Sequence, residues 1–526
     1  MASPTKTNVL VNQPVGVGQT ASDAKPDTLS SAAAIMQART TILRACYGGT
    51  ETMRAAGRNF LPQYDKESDK RYDARLASTF ALNKLREAVD ASSAKPFRTL
   101  AKISGNTDAD LDLWIKDIDL QGNHLHIIGH QFFNNAMLDG QCHLLADFPD
   151  TSNFPSLGAQ KAANARPFLK LIRDDQLVAA YNDYAGGDVQ VTHVRIKGSR
   201  TVRDATFKEK IINQIWVIEK DGGAATNGVV QLWEQAADAG GGSWDFVGEQ
   251  ALDMLEIPFV TLYAGEREGD YLTKPIFQDL AYKQIEHWIS SSDQRSILAA
   301  ARFPMLACSG VTLDEGDEGF EIGPYKVLYS PEAQGRWYFV EPKGTAIESG
   351  RKDLEMLELH MDIMALNPVT GTHRQYVPQN ERDIQETRVH SVVHDVALSC
   401  QDALSKAIRF MGQWSGKDLS MVNVQLNLEM SNTKDKLLEV AQLISLYEKQ
   451  GLSRETILTE MKSRNLLGDD FDVQQELTLM ATVDQLNASA AGGTAGKTGA
   501  NANATAKPQP DLTNWPKGQN RPTKQV

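Results

Sequence analysis

Apolar residues recur at helical spacing toward both ends of the chain, which predicts amphipathic helices in those regions. Short runs rich in apolar and β-branched residues lie between some of these helices and predict strands. In the first third, the predicted elements are two helices over residues 31–92 with a polar join at 64–70, a strand at 97–103, helices at 108–120 and 124–139, and a strand at 144–148. Gly48-Gly49 interrupts the first helix, and Gly140 is a typical residue to end the helix before it.

Residues 166–262 have a different pattern, because β-branched and aromatic residues cluster between glycine-rich turns. The turns contain Asp221-Gly222-Gly223 and three consecutive glycines beginning at Gly240. The segments that this pattern predicts as strands are 189–196, 208–219, 229–234 and 257–263. Turn-separated runs of this kind indicate an antiparallel β region.

Three long helices are predicted next, at residues 274–302, 345–366 and 381–414. Pro275 would occupy the first turn of the first helix, where its missing N–H is tolerated. The third helix has one apolar stripe, which consists of Val389, Val393, Val396, Cys400, Leu404, Ile408 and Met411. A strand at 422–428 and a helical unit at 433–486 complete the pattern, with Ser453 and Asp472 as predicted N-caps in that unit.

The segments between the long helices differ from each other. Residues 303–344 contain short strands and turns, whereas 367–380 form a loop bounded by Pro368 and Pro378. Residues 1–30 and 487–526 are rich in small and polar residues, and we expect both to be flexible arms because they have little apolar surface to bury.

Composition limits the class of protein. A chain of 526 residues is too long for one hydrophobic core and predicts about two to four packed units. No stretch approaches the ~18 apolar residues of a membrane span, and the first residues lack the pattern of a secretory signal. We therefore expect a soluble protein that is made and used in a cytosol, with no membrane partner.

The net charge of −13 argues against a protein that coats nucleic acid, but not against one that DNA slides past. The charge is uneven, because residues 487–526 carry five basic residues against one acidic residue. The four cysteines are dispersed and form no CxxC pair, which predicts buried thiols in a reducing compartment.

A GKT sequence at Gly496-Lys497-Thr498 resembles the end of a phosphate-binding loop. The required spacing puts a glycine at position 491, which is alanine here, and no strand is predicted before it. A flexible tail is the favoured interpretation, so no nucleotide cofactor is predicted.

Two pairs of histidines, His126/His130 and His390/His394, have a spacing that can chelate a metal ion on one helix face. The first pair has no acidic or cysteine ligand in register, so a polar helix face is favoured there. The second pair flanks the predicted buried face of its helix, and no metal is predicted at either place. The acidic run of Asp314, Glu315, Asp317 and Glu318 lacks the ligand order of a calcium loop and is interpreted as a solvated turn. No motif of a hydrolase or metalloprotease is present, so we predict no catalytic residues and no enzyme.

The order of elements, a β-rich insert between two long helices followed by a proline-bounded loop and a third long helix, resembles the portal proteins of tailed bacteriophages. Local sequence resembles a portal subgroup that is catalogued as a domain of unknown function. The stretches that carry the resemblance are residues 61–76, 114–148, 290–305, 341–344 (EPKG) and 452–471.

The resemblance implies an α+β portal fold. Its parts would be an N-terminal arm at 1–30, a wing at 31–273, a stem helix pair at 274–302 and 345–366, a clip at 303–344, a tunnel loop at 367–380, a long tunnel helix at 381–414, a wing strand at 415–432, a crown at 433–486 and a C-terminal tail at 487–526. Where the subgroup is expected to have an alanine-rich start to the long helix, this chain has Asn380-Glu381-Arg382-Asp383, which leaves the length of the tunnel loop open.

The resemblance also implies a function. The chain would form a ring, typically of twelve copies, at one capsid vertex of the virion, assembled in the host cytoplasm. Double-stranded DNA would pass through its channel during packaging and ejection. The implied partners are the terminase large subunit, then head–tail adaptor or tail proteins, and the major capsid and scaffolding proteins.

The resemblance assigns candidate sites by position. The tunnel loop would present His373, Arg374, Gln375 and Tyr376 to DNA, and the stem would add Arg351 and Lys352. The clip would dock terminase or adaptor through Asp314, Glu315, Asp317, Glu318 and Trp337. Two other classes stay open: another virion ring such as a head–tail adaptor, which is usually shorter, and a cytosolic enzyme with an unrecognised site.

Overall fold

The computed structural model describes residues 25–492 except for internal segments at 106–107, 150–153, 155, 186–187, 204, 221–227, 236–242, 253, 255, 303–304, 310–334, 341–343, 366–378, 429–432, 450–452, 464–466 and 468–470. Helices and antiparallel sheets alternate along the chain, which confirms the α+β class. The chain divides into two compact units, Met1–Met430 and Ser431–Val526. None of the described helices is long and apolar enough to cross a membrane.

Four helices occupy the region where two were predicted: α1 (Ser31–Gly48), α2 (Thr50–Ala56), α3 (Asp69–Ser78) and α4 (Lys84–Ala94). The hydroxyl of Ser30 caps α1 by accepting a hydrogen bond from the Ala33 N–H at 3.1 Å. Gly49 has a φ of 80° and separates α1 from α2, because a residue with a Cβ seldom adopts that conformation. The predicted two-helix region is therefore wrong in number, although the break at Gly48-Gly49 is confirmed.

Helices α5 (Ala109–Lys116) and α6 (Leu125–Asp139) confirm the two helices predicted next, within a few residues at the ends. Gly140 ends α6 in the left-handed conformation, as its position predicted. The strand predicted at 97–103 is much shorter, since β1 covers only Lys102–Ser104 and pairs with β14 (Asn423–Gln425). The ring of Phe97 instead packs against Phe133 and the two histidines of α6, a tertiary contact that short-range pattern does not reveal.

The predicted antiparallel β region is confirmed and forms two sheets. A three-stranded sheet has the order β3-β2-β9, and a five-stranded meander has the order β4-β5-β6-β7-β8. Their strands are β2 (Gln141–Asp147), β3 (Phe168–Arg173), β4 (Leu177–Ala185), β5 (Asp188–Arg203), β6 (Glu209–Glu219), β7 (Gly228–Gln235), β8 (Trp244–Leu252) and β9 (Phe259–Tyr263). A short helix, α7 (Leu157–Ala162), precedes β3.

Pro275 does not begin a helix. It is the last residue of β11 (Leu272–Pro275), which pairs with β10 (Gly265–Gly269), and α8 covers Gln278–Ala301 rather than 274–302. A proline at the end of a two-stranded hairpin removes few of the hydrogen bonds between the strands. Its missing N–H is therefore tolerated at this position, as it is in the first turn of a helix. Two other helices follow, α9 (Gly344–Met364) and the 37-residue α10 (Gln379–Ser415).

Helix α10 begins two residues before the predicted start, so residues 379 and 380 belong to the helix and not to the loop. The predicted apolar stripe of α10 is buried from Val393 to Met411, while the side chain of Val389 lies outside the described residues. This stripe packs on β2, β9 and α6 and forms the centre of the main core together with Phe132, Phe133 and Trp288.

The second unit contains α11 (Thr433–Glu448), α12 (Arg454–Ser463) and α13 (Val473–Gly492). Ser453 caps α12 through the Thr456 N–H at 3.1 Å, and Asp472 caps α13 through the N–H groups of Gln474 and Gln475. Both predicted N-caps are confirmed. The GKT sequence lies outside the described residues, beyond the end of α13.

Candidate functional site

Helices α8 and α9 form an antiparallel pair. Near one end, the Gln294 side-chain amide donates a hydrogen bond to the Ile347 carbonyl at 2.9 Å. Further along, His287 Nε2 lies 3.4 Å from Glu358 Oε1. Residue numbers rise along one helix as they fall along the other, so the chain reverses direction between the two helices. The segment in which it reverses begins with β12 (Met305–Ser309) and ends with β13 (Arg336–Val340).

The seam between the two helices is partly polar. Burial lowers the pKa of His287, so the imidazole is neutral near pH 7 and its contact with Glu358 is not a full ion pair. At the base of the pair, Lys84 of α4 holds Asp362 of α9 through an ion pair of 2.9 Å. The helix pair is thereby attached to α4 at one end.

The outer surface of the pair is unusually apolar. Its exposed large apolar side chains, which are between 36% and 66% accessible, are Tyr282, Ile297, Met356, Leu359, Ile363 and Met364. The four on α9 follow the i, i+3, i+7, i+8 spacing of one helix face. A continuous apolar stripe of this kind on the surface of a lone chain indicates a surface that another molecule covers.

Arg351 and Lys352, the predicted stem contacts to DNA, lie on α9 and are exposed. Arg351 forms ion pairs with Glu348 at 2.7 Å and with Glu355 at 2.6 Å, and Lys352 lies 4.0 Å from Glu348. Hydrogen bonding to Glu348 raises the pKa of Arg351. Since these cations already have carboxylate partners, this part of α9 does not present a strongly basic surface.

Trp337, a predicted docking residue, lies on β13 opposite Cys308 of β12. Its side chain is half-buried, while the neighbouring Tyr338 is half exposed. The two aromatic side chains point to opposite faces, as strand alternation requires. The other predicted docking residues, Asp314, Glu315, Asp317 and Glu318, lie outside the described residues, as do His373, Arg374, Gln375 and Tyr376 of the predicted tunnel loop.

The histidines of α6 have packing roles. His126 Nδ1 accepts a hydrogen bond from the Ala101 N–H at 3.3 Å, and the rings of His126 and His130 both lie 5.4 Å from the ring of Phe97. His394 of the second pair lies 3.6 Å from its neighbour Asp395, and the side chain of His390 is outside the described residues. Among the residues that the structure describes, no group of three or more His, Cys, Asp or Glu side chains is arranged to hold a metal ion.

Sequence reasoning missed a buried polar cluster between α1 and the three-stranded sheet. Asp139, the last residue of α6, is fully buried and hydrogen-bonded to Arg44 of α1, which also donates to Asn135 at 3.0 Å. Asp174 accepts a hydrogen bond from Gln141 at 2.6 Å in the same cluster. Burial raises the pKa of Asp139 to about 7 although Arg44 opposes this. One sequence signal was available, because an aspartate at a helix C-terminus is unfavourable and requires a nearby cation.

The fold and the helix pair define an α+β protein whose long-helix region combines an inserted hairpin with an exposed apolar stripe. Residues 276–415, which include α8, α9 and α10, match a family described as Domain of unknown function (DUF4055). The match covers about a quarter of the chain and includes two of the stretches that indicated a domain of unknown function, residues 290–305 and 341–344.

No curated protein matches the chain. Among solved structures, it is similar to a chain from the virion of a native gene transfer agent particle, with 13% identity, a TM-score of 0.39, and coverage of 76% of this chain and 96% of that one. It is also similar to chains from the neck of the empty particle computed with C6 symmetry (13% identity, TM-score 0.37, 70% and 87% covered) and of the native particle computed with C12 symmetry (12%, 0.38, 72% and 89%).

Proposed function

We propose that this chain is a phage portal subunit, a non-enzymatic ring protein at one capsid vertex through which DNA is packaged and ejected. The observation that carries the proposal is the antiparallel α8/α9 pair, which has a hairpin insert at one end and an uncovered apolar stripe on α9. Neighbouring copies in a ring would cover such a stripe. The family match supports the proposal because it spans this region of the chain.

The test of this proposal is the assembly state of the purified full chain. Mass photometry at micromolar concentration should show closed rings of about twelve copies, a number that rests on the family analogy. Negative-stain images should show a ring with a stalk. A small flat ring would favour a head–tail adaptor, and a stable monomer would contradict both.

The hairpin insert between α8 and α9 would be the docking site for terminase and later for adaptor or tail proteins. Replacement of residues 312–319 by a short Gly/Ser link should leave rings intact and abolish terminase binding, because the acidic run would be lost. Unchanged terminase affinity in a pull-down with mutant rings would place the docking site elsewhere.

The loop between α9 and α10 would line the channel, with Arg374 as a weak, sequence-independent phosphate contact in every copy. Arg374→Glu should preserve rings but reduce packaged or retained DNA, since a ring of reversed charges repels the duplex. Lys70→Glu is the matched control, because Lys70 is exposed on α3, far along the chain from the loop. Normal DNA content in capsids that contain the Arg374→Glu rings would show that this loop does not contact DNA.

A further inference from the structure

The hairpin formed by β5 and β6 extends beyond the rest of its sheet. Pairing of β4 with β5 ends at Ile196, and pairing of β7 with β6 ends at Gln214. Residues Ser199 to Arg203 and Glu209 to Asn213 therefore pair only with each other within the described part of the sheet. We name this two-stranded segment, residues 199–213, the β arm.

The β arm buries almost nothing against its own chain. Every described side chain from 199 to 211 is exposed, including Val202 at 36%, Ile211 at 68% and Phe207 at 78%. A two-stranded ribbon with both faces in water is marginally stable by itself. Phe207 also has a φ of 64°, a left-handed conformation that is costly for a bulky side chain. The Arg203 guanidinium carbon lies 5.6 Å from the centre of the Phe207 ring, but the ring buries almost no apolar surface within the monomer. The exposed aromatic side chain therefore indicates an external contact.

The charge of the β arm is opposite to that of the chain. It contains four basic residues, Arg200, Arg203, Lys208 and Lys210, against two acidic ones, whereas the whole chain has a net charge of −13. Arg200 is held by Glu234 of β7 at 2.6 Å, at the base of the arm. Each copy of the chain therefore carries both a basic arm and an acidic body.

We infer that the β arm docks on the acidic surface of a second copy of this chain, with Phe207 and Ile211 as apolar anchors. This inference rests on the proposed ring. When the β arm of one copy binds a different surface of the next copy, the two copies form a head-to-tail contact. Contacts of that kind close into a ring when the rotation between copies allows it.

A protein surface suits the β arm better than DNA does. Contacts to phosphate oxygens use charged and polar donors, whereas two large exposed side chains of the arm, Phe207 and Ile211, are apolar. Interfaces between proteins combine apolar anchors with a charged rim in this way. DNA and other proteins remain outcomes of the test.

The first variant shortens the arm. Residues 201–211 are replaced by Asn-Gly, which joins the paired residues Arg200 and Ile212 by a two-residue turn and keeps the Arg200–Glu234 contact. The concentration at which half of the chains are in rings, measured by mass photometry, should rise at least about tenfold. Rings that form at the wild-type concentration would overturn the inference and leave the proposed function standing. Failure of the wild-type chain to form rings would overturn the proposed function instead.

The second variant keeps the backbone. Lys208→Glu with Lys210→Glu should raise the same half-assembly concentration several-fold, because the reversed charges meet an acidic surface. Lys66→Glu with Lys70→Glu is the matched control, since both lysines are exposed near α3 and the net charge changes equally. Equal effects of the two pairs would mean that only net charge matters, which contradicts docking by the arm.

A third experiment identifies the occupant and does not depend on a loss of assembly. With Phe207 replaced by the photo-crosslinking residue p-benzoylphenylalanine, irradiation of purified rings should give covalent dimers of this chain. Mass spectrometry of the dimer should locate the attachment in an acidic region of the second copy. Absence of dimers, or preferential attachment to duplex DNA added in parallel, would overturn the inference.

Discussion

Helices α9 and α10 both have an amphipathic sequence, but their apolar faces differ in burial. Val393, Cys400 and Leu404 of α10 are fully buried, because sheets and α6 cover that face. Met356 and Ile363 of α9 are more than half exposed, since α9 packs mainly along α8. The comparison teaches that an apolar stripe predicts burial, but only the assembled structure shows whether the same chain or another molecule provides the cover.

The largest expected effect tests this difference directly. Leu404→Ala in α10 should lower the free energy of unfolding by about 3 kcal/mol, since it leaves a cavity in a close-packed core. Ile363→Ala in α9 should change it by less than ~0.5 kcal/mol in the monomer, because the side chain is already 66% exposed. Urea denaturation below the concentration of assembly measures both.

The effects of the same two substitutions on ring assembly should be the reverse of their effects on stability. Ile363→Ala should raise the half-assembly concentration, whereas the folded fraction of Leu404→Ala should assemble normally. If Ile363→Ala destabilises the monomer as strongly as Leu404→Ala, the stripe on α9 is covered within the chain and the comparison fails.

The covered region also contains a fully buried carboxyl group, that of Asp139 at the end of α6. The folded-state pKa of Asp139 is raised to about 7 from an ordinary value of 3.8, so the folded protein favours its protonated form. The resulting stabilisation is full below about pH 3.8 and disappears as the pH rises through 7. From pH 5 to pH 8, the protein should lose about 2 kcal/mol of unfolding free energy through this group.

Asp139→Asn should remove that part of the pH dependence, because the amide does not titrate. The measurement is the difference between the urea-unfolding free energies of wild type and variant at several pH values, which cancels the other titrating groups. A difference that stays constant from pH 5 to pH 8 would show that Arg44 keeps Asp139 charged throughout.

The smallest effect compares two glycines. A Cβ on Gly412 of α10 would lie 2.9 Å from the Lys417 carbonyl oxygen and 3.0 Å from Leu419, in rigid surroundings. The three atoms nearest to a Cβ on Gly350 of α9 would all belong to the side-chain amide of Gln294, which can rotate away. Gly412→Ala should cost about 1 kcal/mol, while Gly350→Ala should be close to neutral because the gain in helix propensity offsets the lost hydrogen bond. Thermal unfolding of both variants measures the difference, and equal shifts would contradict it.

Local signals explain which features could be predicted from the sequence. The stop at Gly140 and the caps at Ser453 and Asp472 depend on a few neighbouring residues, and all three were predicted. Pro275 was misplaced because a proline fits both the first turn of a helix and the end of a hairpin strand. Contacts between distant residues could not be predicted, as with Arg44 and Asp139, which are 95 positions apart.

In the candidate site, one local signal was missed. The sequence pattern placed Arg351 and Lys352 on a helix, and Glu348 and Glu355 lie three and four positions from Arg351, a spacing at which charges pair on a helix. The β arm was not predicted. Alternation of apolar and polar residues indicates a strand, but it does not show where the neighbouring strands of the sheet end. The roles assigned to Arg374 and to the acidic run at Asp314 remain predictions.

The buried thiols can report local opening of the folded protein. Cys46 of α1 has its thiol 3.7 Å from the Ala281 carbonyl oxygen of α8, and Cys142 of β2 has its thiol 3.4 Å from the Ile172 carbonyl oxygen of β3. Cys400 lies in the buried stripe of α10. Burial raises the pKa of Cys46 to about 12. A thiol reagent can therefore neither reach the sulfur nor react with a thiolate until the surrounding elements separate. The labelling rates of Cys46, Cys142 and Cys400 would therefore time the separation of three different contacts.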